Sequence, residues 1–152
     1  PRFVDALIAG ADFVKGSRYV PPGGSADMTR LRSAGNFALR RVVNALFATS
    51  YTDLCYGYNA FWRRHLDVLG VDCSGFEVET LLNIRAAKAG LRVEEVPSFE
   101  RARYSGQSNL KPARDGLRIL RLIAREKVAH PALPADVRKA IPGAATTNGA
   151  NP

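Results

Sequence analysis

The chain has 152 residues and a formal net charge of +8, with 22 Lys and Arg against 14 Asp and Glu. Hydrophobic residues make up 46% and aromatic residues 9%, enough for an ordinary core, so a wholly disordered polymer is excluded and one domain, or part of a larger one, is expected. No stretch approaches the ~18 or more uninterrupted apolar residues that cross a bilayer, and Cys55 and Cys73 make neither a disulfide framework nor a zinc motif. A reduced, cytoplasmic compartment fits this cysteine usage. No signal-peptide pattern is visible, and a start at Pro1 rather than Met fits a piece of a longer polypeptide.

In chain order, Phe3, Leu7 and Ile8 lie at helical spacing within residues 2–9, and Gly10 can end that helix. Residues 11–16 read as a strand, followed by a loop from Arg18 to Asp27 that contains Pro21-Pro22-Gly23-Gly24-Ser25. Between Met28 and Phe47, Leu31, Ala34, Ala38, Leu39, Val42, Val43 and Leu46 recur every three or four positions, which predicts a helix with Arg40 and Arg41 on its wetter side. Residues 57–62 predict a strand and residues 63–69 a short helix. Ser74-Gly75-Phe76-Glu77 has the pattern of a capping box, with Ser74 as N-cap and Glu77 reaching back. The helix it opens carries Val78, Leu81, Leu82 and Ala86 and stops at Gly90. Residues 91–97 predict a strand that ends, or lies at a sheet edge, at Pro97. After a loop over 101–110, Pro112 opens a helix to about Ala129. Residues 1–130 form the expected folded part, and the Pro/Ala/Gly-rich stretch 131–152 the expected disordered tail. Strands alternating with helices indicate an α/β class.

Three basic loops of small residues could bind phosphate: 16–19, 29–33 and 101–109. Arginine gives bidentate charge-assisted bonds, serine donates, and glycine lets the backbone approach. Three merely solvated loops are the competing reading.

Four motifs occur in order: Val14-Lys15-Gly16-Ser17-Arg18-Tyr19, Thr52-Asp53-Leu54-Cys55-Tyr56-Gly57-Tyr58-Asn59-Ala60-Phe61, Gly75-Phe76-Glu77-Val78-Glu79 and Arg103-Tyr104-Ser105-Gly106-Gln107-Ser108. Over roughly residues 1–128 the chain resembles the C-terminal, acceptor-side half of a family 2 glycosyltransferase with a GT-A fold, of the polyprenyl-phosphate sugar (dolichol-phosphate mannose synthase-like) type. The resemblance implies transfer of a sugar from a nucleotide-sugar to a polyprenyl phosphate, with inversion and with a divalent metal, Mg or Mn. It implies that Arg18 and Arg103 hold the acceptor phosphate or departing diphosphate, with Ser108 as a hydroxyl donor. In the family's second loop an arginine precedes a serine by four residues. Thr29 stands four before Ser33 here, so Arg30 or Arg32 is the expected substitute. The nucleotide-binding half and its Asp-x-Asp metal motif have no counterpart, so the metal ligands lie outside this chain, and the chain alone is expected to be incomplete and inactive.

Asp53, at the start of its motif, and Glu79, in the first turn of a helix, are the candidate catalytic acids. Each has a plain structural alternative, a turn acceptor for Asp53 and a helix N-terminal acid for Glu79. Tyr51, Tyr56, Tyr58, Phe61 and Trp62 could line an acceptor groove or pack a core. On the last helix Arg114, Arg118, Arg121 and Arg125 fall in one stripe at about 100° per residue, flanked by Leu117, Leu120, Ala124 and Val128. Such a helix suits peripheral contact with the cytoplasmic membrane face, or a solvated basic face. The alternatives to a transferase are a basic nucleic-acid-binding module or a non-catalytic membrane-surface module; the transferase reading expects no nucleic acid.

Overall fold

The computed structural model describes residues 2–102, 104, 106 and 110–129. The elements are α1 (Arg2–Ile8), β1 (Phe13–Ser17), β2 (Gly24–Ser25), α2 (Arg30–Phe47), β3 (Asn59–Phe61), a 3-10 turn (Arg63–His65), α3 (Leu66–Leu69), α4 (Val78–Lys88), β4 (Val93–Pro97), β5 (Phe99–Glu100) and α5 (Pro112–Ala129). The mixed α/β order is the expected one.

β1 is the centre of a three-stranded sheet in the order β3-β1-β4. It pairs antiparallel with β3, Phe13 opposite Phe61, and parallel with β4, from Phe13 opposite Val93 to Ser17 opposite Pro97. All five β1 residues are buried, as a central strand covered on both faces requires. Ala6, Ala11, Val14 and Val96 pack on one another beside Phe3 and Leu7 of α1. Phe13 joins Leu69, Ala86, Ala89 and Leu91. A third cluster, Val43, Tyr51, Leu54, Ile84, Ile119 and Ile123, ties α2, α4 and α5 together. The parallel β1–β4 pairing forces a long crossover, and its last helix ends with Gly90 at φ +69°, the left-handed stop the sequence predicts.

Four expectations change. The loop after β1 carries the short strand β2, which pairs parallel with β5. Thr29 is the N-cap of α2, accepting from Arg32 N at 3.2 Å, so the helix starts later than Met28. The capping box does not form: Glu77 itself occupies the N-cap of α4 and makes no side-chain cap bond. Its Oε1 accepts instead from Arg118 Nη2 at 2.7 Å, a charge-assisted bond that outweighs a neutral cap. Finally, helical spacing foretells α2 but not its burial. Val43 is fully buried, whereas Leu31, Val42 and Leu46 are exposed. The stretch 131–152 lies outside the described residues.

Ile84 sits at the junction of α2, α4 and α5 with no exposed surface. Ile84→Ala is expected to lower unfolding free energy by about 2–5 kcal/mol, read from denaturant melts.

Candidate functional site

A cleft of about 450 Å³ opens between the first turns of α2, the segment 55–58, the start of α4 and the start of α5. Its walls are apolar, with Met28, Leu31, Leu39, Phe76, Leu110 and Ile119, and Tyr56 and Tyr58 face it too. Arg18, Arg32, Glu79 and Glu100 give it charge.

Arg18, just beyond the C-terminal end of β1, is buried and held from several directions. Nε donates to Asp53 Oδ2 at 2.7 Å and Nη2 to Asp53 Oδ1 at 3.0 Å, a bidentate pair. Nη1 donates to Glu100 Oε2 at 3.0 Å and Nη2 to the Cys55 carbonyl at 3.0 Å. These bonds occupy four of the five N–H donors of a guanidinium. The Tyr56 ring lies 4.7 Å from the guanidinium carbon. Burial disfavours the charge, but Asp53 and Glu100 outweigh it and raise the pKa. Asp53 is also fully buried and accepts from the Arg18 backbone N–H at 3.2 Å.

Three residues earlier, inside β1, Lys15 is buried completely. Its Nζ donates to the Asp53 carbonyl and to Glu95 Oε1, the latter at 3.2 Å. Burial lowers its pKa, opposed by Glu95 and Asp53. Glu95 also accepts from Thr52 N and, at 2.8 Å, from Thr52 Oγ1. From the other side Asn36 of α2 accepts from Leu54 N at 3.0 Å and Cys55 N at 2.9 Å. The segment 52–55 is therefore bolted to β1, β4 and α2. Glycines allow the close approaches: a Cβ on Gly16 would lie 2.8 Å from the Tyr56 ring, and one on Gly57 2.9 Å from Glu79 Oε1.

The expected site residues separate into groups. Arg18, Arg32 and Glu79 line the cleft, and Asp53 stands directly behind Arg18. Between the two candidate substitutes in the second loop, Arg32 faces the cleft, donating to the Asp27 carbonyl at 2.8 Å with Nη2 3.9 Å from Glu100 Oε1. Arg30 is exposed and is not among the cleft's lining residues. Ser33 instead shares a 3.0 Å hydrogen bond with Tyr19 Oη. Arg103 and Ser108 lie outside the described residues. Of the aromatic group, Tyr51 packs in the core, with its hydroxyl donating to the Asn83 carbonyl at 2.9 Å, while Phe61 stacks on Phe13. Trp62 donates to the Ala11 carbonyl at 3.2 Å.

Sequence reasoning missed Glu100, which accepts from Arg18 and, at 2.6 Å, from Ser25 Oγ. It also missed Lys15, Glu95 and Asn36. A lysine inside a predicted strand was the available signal for Lys15 and Glu95, since a charge that the strand buries demands a carboxylate partner.

Among the described residues no three His, Cys, Asp or Glu side chains form a group able to hold a metal ion. Asp53 and Glu100 are already committed to Arg18. These residues do not fit a divalent cation.

No protein-family profile matches the chain. It is 33% identical over 132 residues to Glycosyltransferase AglJ of Haloferax volcanii, covering 86% of this chain and 43% of that protein. It is 33% identical over 126 residues to Dolichyl-phosphate hexose transferase of the same organism, covering 82% and 53%. It is 34% identical over 121 residues to Polyprenol monophosphomannose synthase of Mycolicibacterium smegmatis, covering 72% and 42%. The chain spans about half the length of the curated relatives it matches.

The two cleft carboxyls titrate in opposite senses. Burial raises Glu79 above its ordinary value of 4.5, so its ionisation weakens the fold as pH rises past that value. For Glu100, burial is outweighed by bonds from Ser25 and Arg18, and its pKa falls. Its stabilisation is present above about 4.5 and is lost as pH falls through the lowered folded value. Melting curves from neutral to strongly acidic pH should show Glu79→Gln raising Tm and Glu100→Gln lowering it at neutral pH, with both differences shrinking in acid.

Proposed function

We propose that this chain, homologous to about half of a family 2 glycosyltransferase of the polyprenyl-phosphate type, receives the polyprenyl phosphate acceptor in its cleft. The α/β fold is then the acceptor-side half of a GT-A domain. One observation carries the assignment: arginines share a single concavity with an apolar wall, which suits a lipid whose phosphate is polar and whose chain is not. This chemistry favours glycosyl transfer over the nucleic-acid-binding alternative.

In this reading Arg32 and Arg103 meet the acceptor phosphate, with Ser108 as a donor. Arg18, with one N–H left to give, adds a fixed positive charge. Asp53 acts as a positioning residue that holds Arg18. The first isoprene units run along Leu31, Leu39 and Ile119. A phosphate oxygen of the acceptor forms the new bond to the anomeric carbon of the sugar. The bond from that carbon to the nucleoside diphosphate breaks with inversion, and the diphosphate leaves with the electron pair. The nucleophile is already anionic at neutral pH, so no strong base is demanded; alignment and positive charge are what the site supplies. Glu79, made less acidic by burial, is placed to hydrogen-bond a sugar hydroxyl. The nucleotide-sugar donor, and the Mg or Mn ion with its ligands, fall to residues beyond those described here.

Among the described residues no helix is long and apolar enough to cross a membrane. The outward side of α5 nonetheless exposes Leu117, Leu120 and Val128. α2 exposes Phe37 and carries four arginines and no acid. Apolar side chains rimmed by arginine suit peripheral docking on an anionic membrane face, the cytoplasmic one in this reading, beside which a lipid can enter the cleft.

The test uses the full natural gene product, assayed with UDP- and GDP-hexoses and with undecaprenyl or dolichyl phosphate. Formation of a hexosyl phosphoprenol is expected. Arg18→Ala, Arg32→Ala and Arg103→Ala should each lower kcat/KM at least about tenfold, some 1.4 kcal/mol. Turnover near wild type in all three would overturn the acceptor assignment.

A further inference from the structure

On the other flank of α5, a recess of about 230 Å³ is lined by Cys73, Glu77, Arg118, Arg121, Leu122 and Arg125. The arginine stripe that the sequence predicts is therefore not a flat face. Arg118 Nη2 bonds Glu77 Oε1 at 2.7 Å, and Arg125 Nη2 bonds Asp72 Oδ1 at 3.0 Å. Both arginines make these bonds through Nη2 alone, so Nε and Nη1 of each remain without a partner among the described residues. Arg121, between them in sequence, has no hydrogen-bond or ion-pair partner among the described residues. Among the described residues, the recess and the ion-pair network beside it set five cations, Arg85, Lys88, Arg118, Arg121 and Arg125, against three carboxylates, Asp72, Glu77 and Glu126.

A second observation is independent of this charge excess. The Glu77 side chain is only 10% exposed, and its Oε2 is buried with no hydrogen-bond partner. A buried carboxylate oxygen without a donor is costly unless a ligand or water supplies one. Gly75 leaves room for the arrangement, since a Cβ there would lie 2.4 Å from Glu77 Oε2 and 2.9 Å from Arg118 Nη2. Among the described residues Arg121 therefore has no anionic partner and Glu77 Oε2 no hydrogen-bond donor.

We propose that the recess between α5 and residues 73–77 binds a phosphate group that carries an adjacent hydrogen-bond donor. Its oxygens accept from Arg121 and from the free N–H groups of Arg118 and Arg125, while an O–H or N–H on the same ligand donates to Glu77 Oε2. A free phosphate monoester and a phospholipid headgroup share this chemistry. The site does not use the cleft, and it stands whether or not the cleft receives a polyprenyl phosphate.

Arg121→Ala is the variant of choice, because it removes no bond within the described fold; Arg63→Ala, an exposed arginine outside the recess, controls for charge. Inorganic phosphate, which bears both an anionic oxygen and an O–H, is titrated at constant ionic strength against the Nε–H signals of the arginines. Saturable shifts at Arg118, Arg121 and Arg125 are expected, with Kd raised at least about tenfold by Arg121→Ala and unchanged by Arg63→Ala. Binding to phosphatidylcholine vesicles with and without phosphatidylglycerol then identifies the source. A loss of phosphatidylglycerol-dependent binding specific to Arg121→Ala supports a headgroup site, and unaltered vesicle binding beside lost phosphate binding supports a free phosphate site. Absence of saturable shifts at these arginines, or shifts that persist in a folded Arg121→Ala protein, would overturn the proposal.

Discussion

Everything around the cleft depends on burying Arg18 at the end of β1. A buried guanidinium is tolerated only with carboxylates in good geometry, and Asp53 and Glu100 supply them from two different directions. Satisfying that one charge joins the end of the central strand to the segment 53–55 and to β5. Lys15 repeats the device three residues earlier, inside β1, with the Asp53 carbonyl and Glu95. Removing Asp53 alone would leave Arg18 short of its bidentate partner, and removing Glu95 would strand Lys15. The site is rigid because it is electrostatically indivisible.

That rigidity explains the division of labour in the cleft. Arg18 is too committed to reach for a ligand, so it contributes a fixed charge. Arg32 is held more loosely, by Asp27 and at longer range by Glu100. The apolar wall comes from α2 and α5, the two helices that also leave leucines exposed on their outer sides. The proposed lipid acceptor would account for both facts, since the same helices would form the wall of the cleft and the surface facing the bilayer.

Local signals in the sequence located most elements. Helical spacing marked α1 and α2, Pro112 marked the start of α5, Gly90 marked the end of α4, and Pro97 marked the end of β4. What failed were inferences about long-range competition. Ser74 to Glu77 looks like a capping box, yet Arg118, forty-one residues away, takes the glutamate. Leu31, Val42 and Leu46 share a face by periodicity, but nothing in periodicity says whether another element covers it. The motif around Arg18 and Asp53 was legible through resemblance, whereas the Glu100 partnership was not, because a lone glutamate after a strand has no local mark. Choosing Arg32 over Arg30 likewise needed the helix start at Thr29, which fixes which arginine turns toward Glu100.

The most direct measurement is photocrosslinking of the protein with a polyprenyl phosphate that carries a diazirine on its first isoprene unit, followed by peptide mapping. The account predicts adducts on cleft residues such as Leu31, Leu39 and Ile119, competed by unlabelled polyprenyl phosphate and not by the uncharged polyprenol. Adducts confined to the outer faces of α2 and α5, or equal competition by the polyprenol, would contradict it.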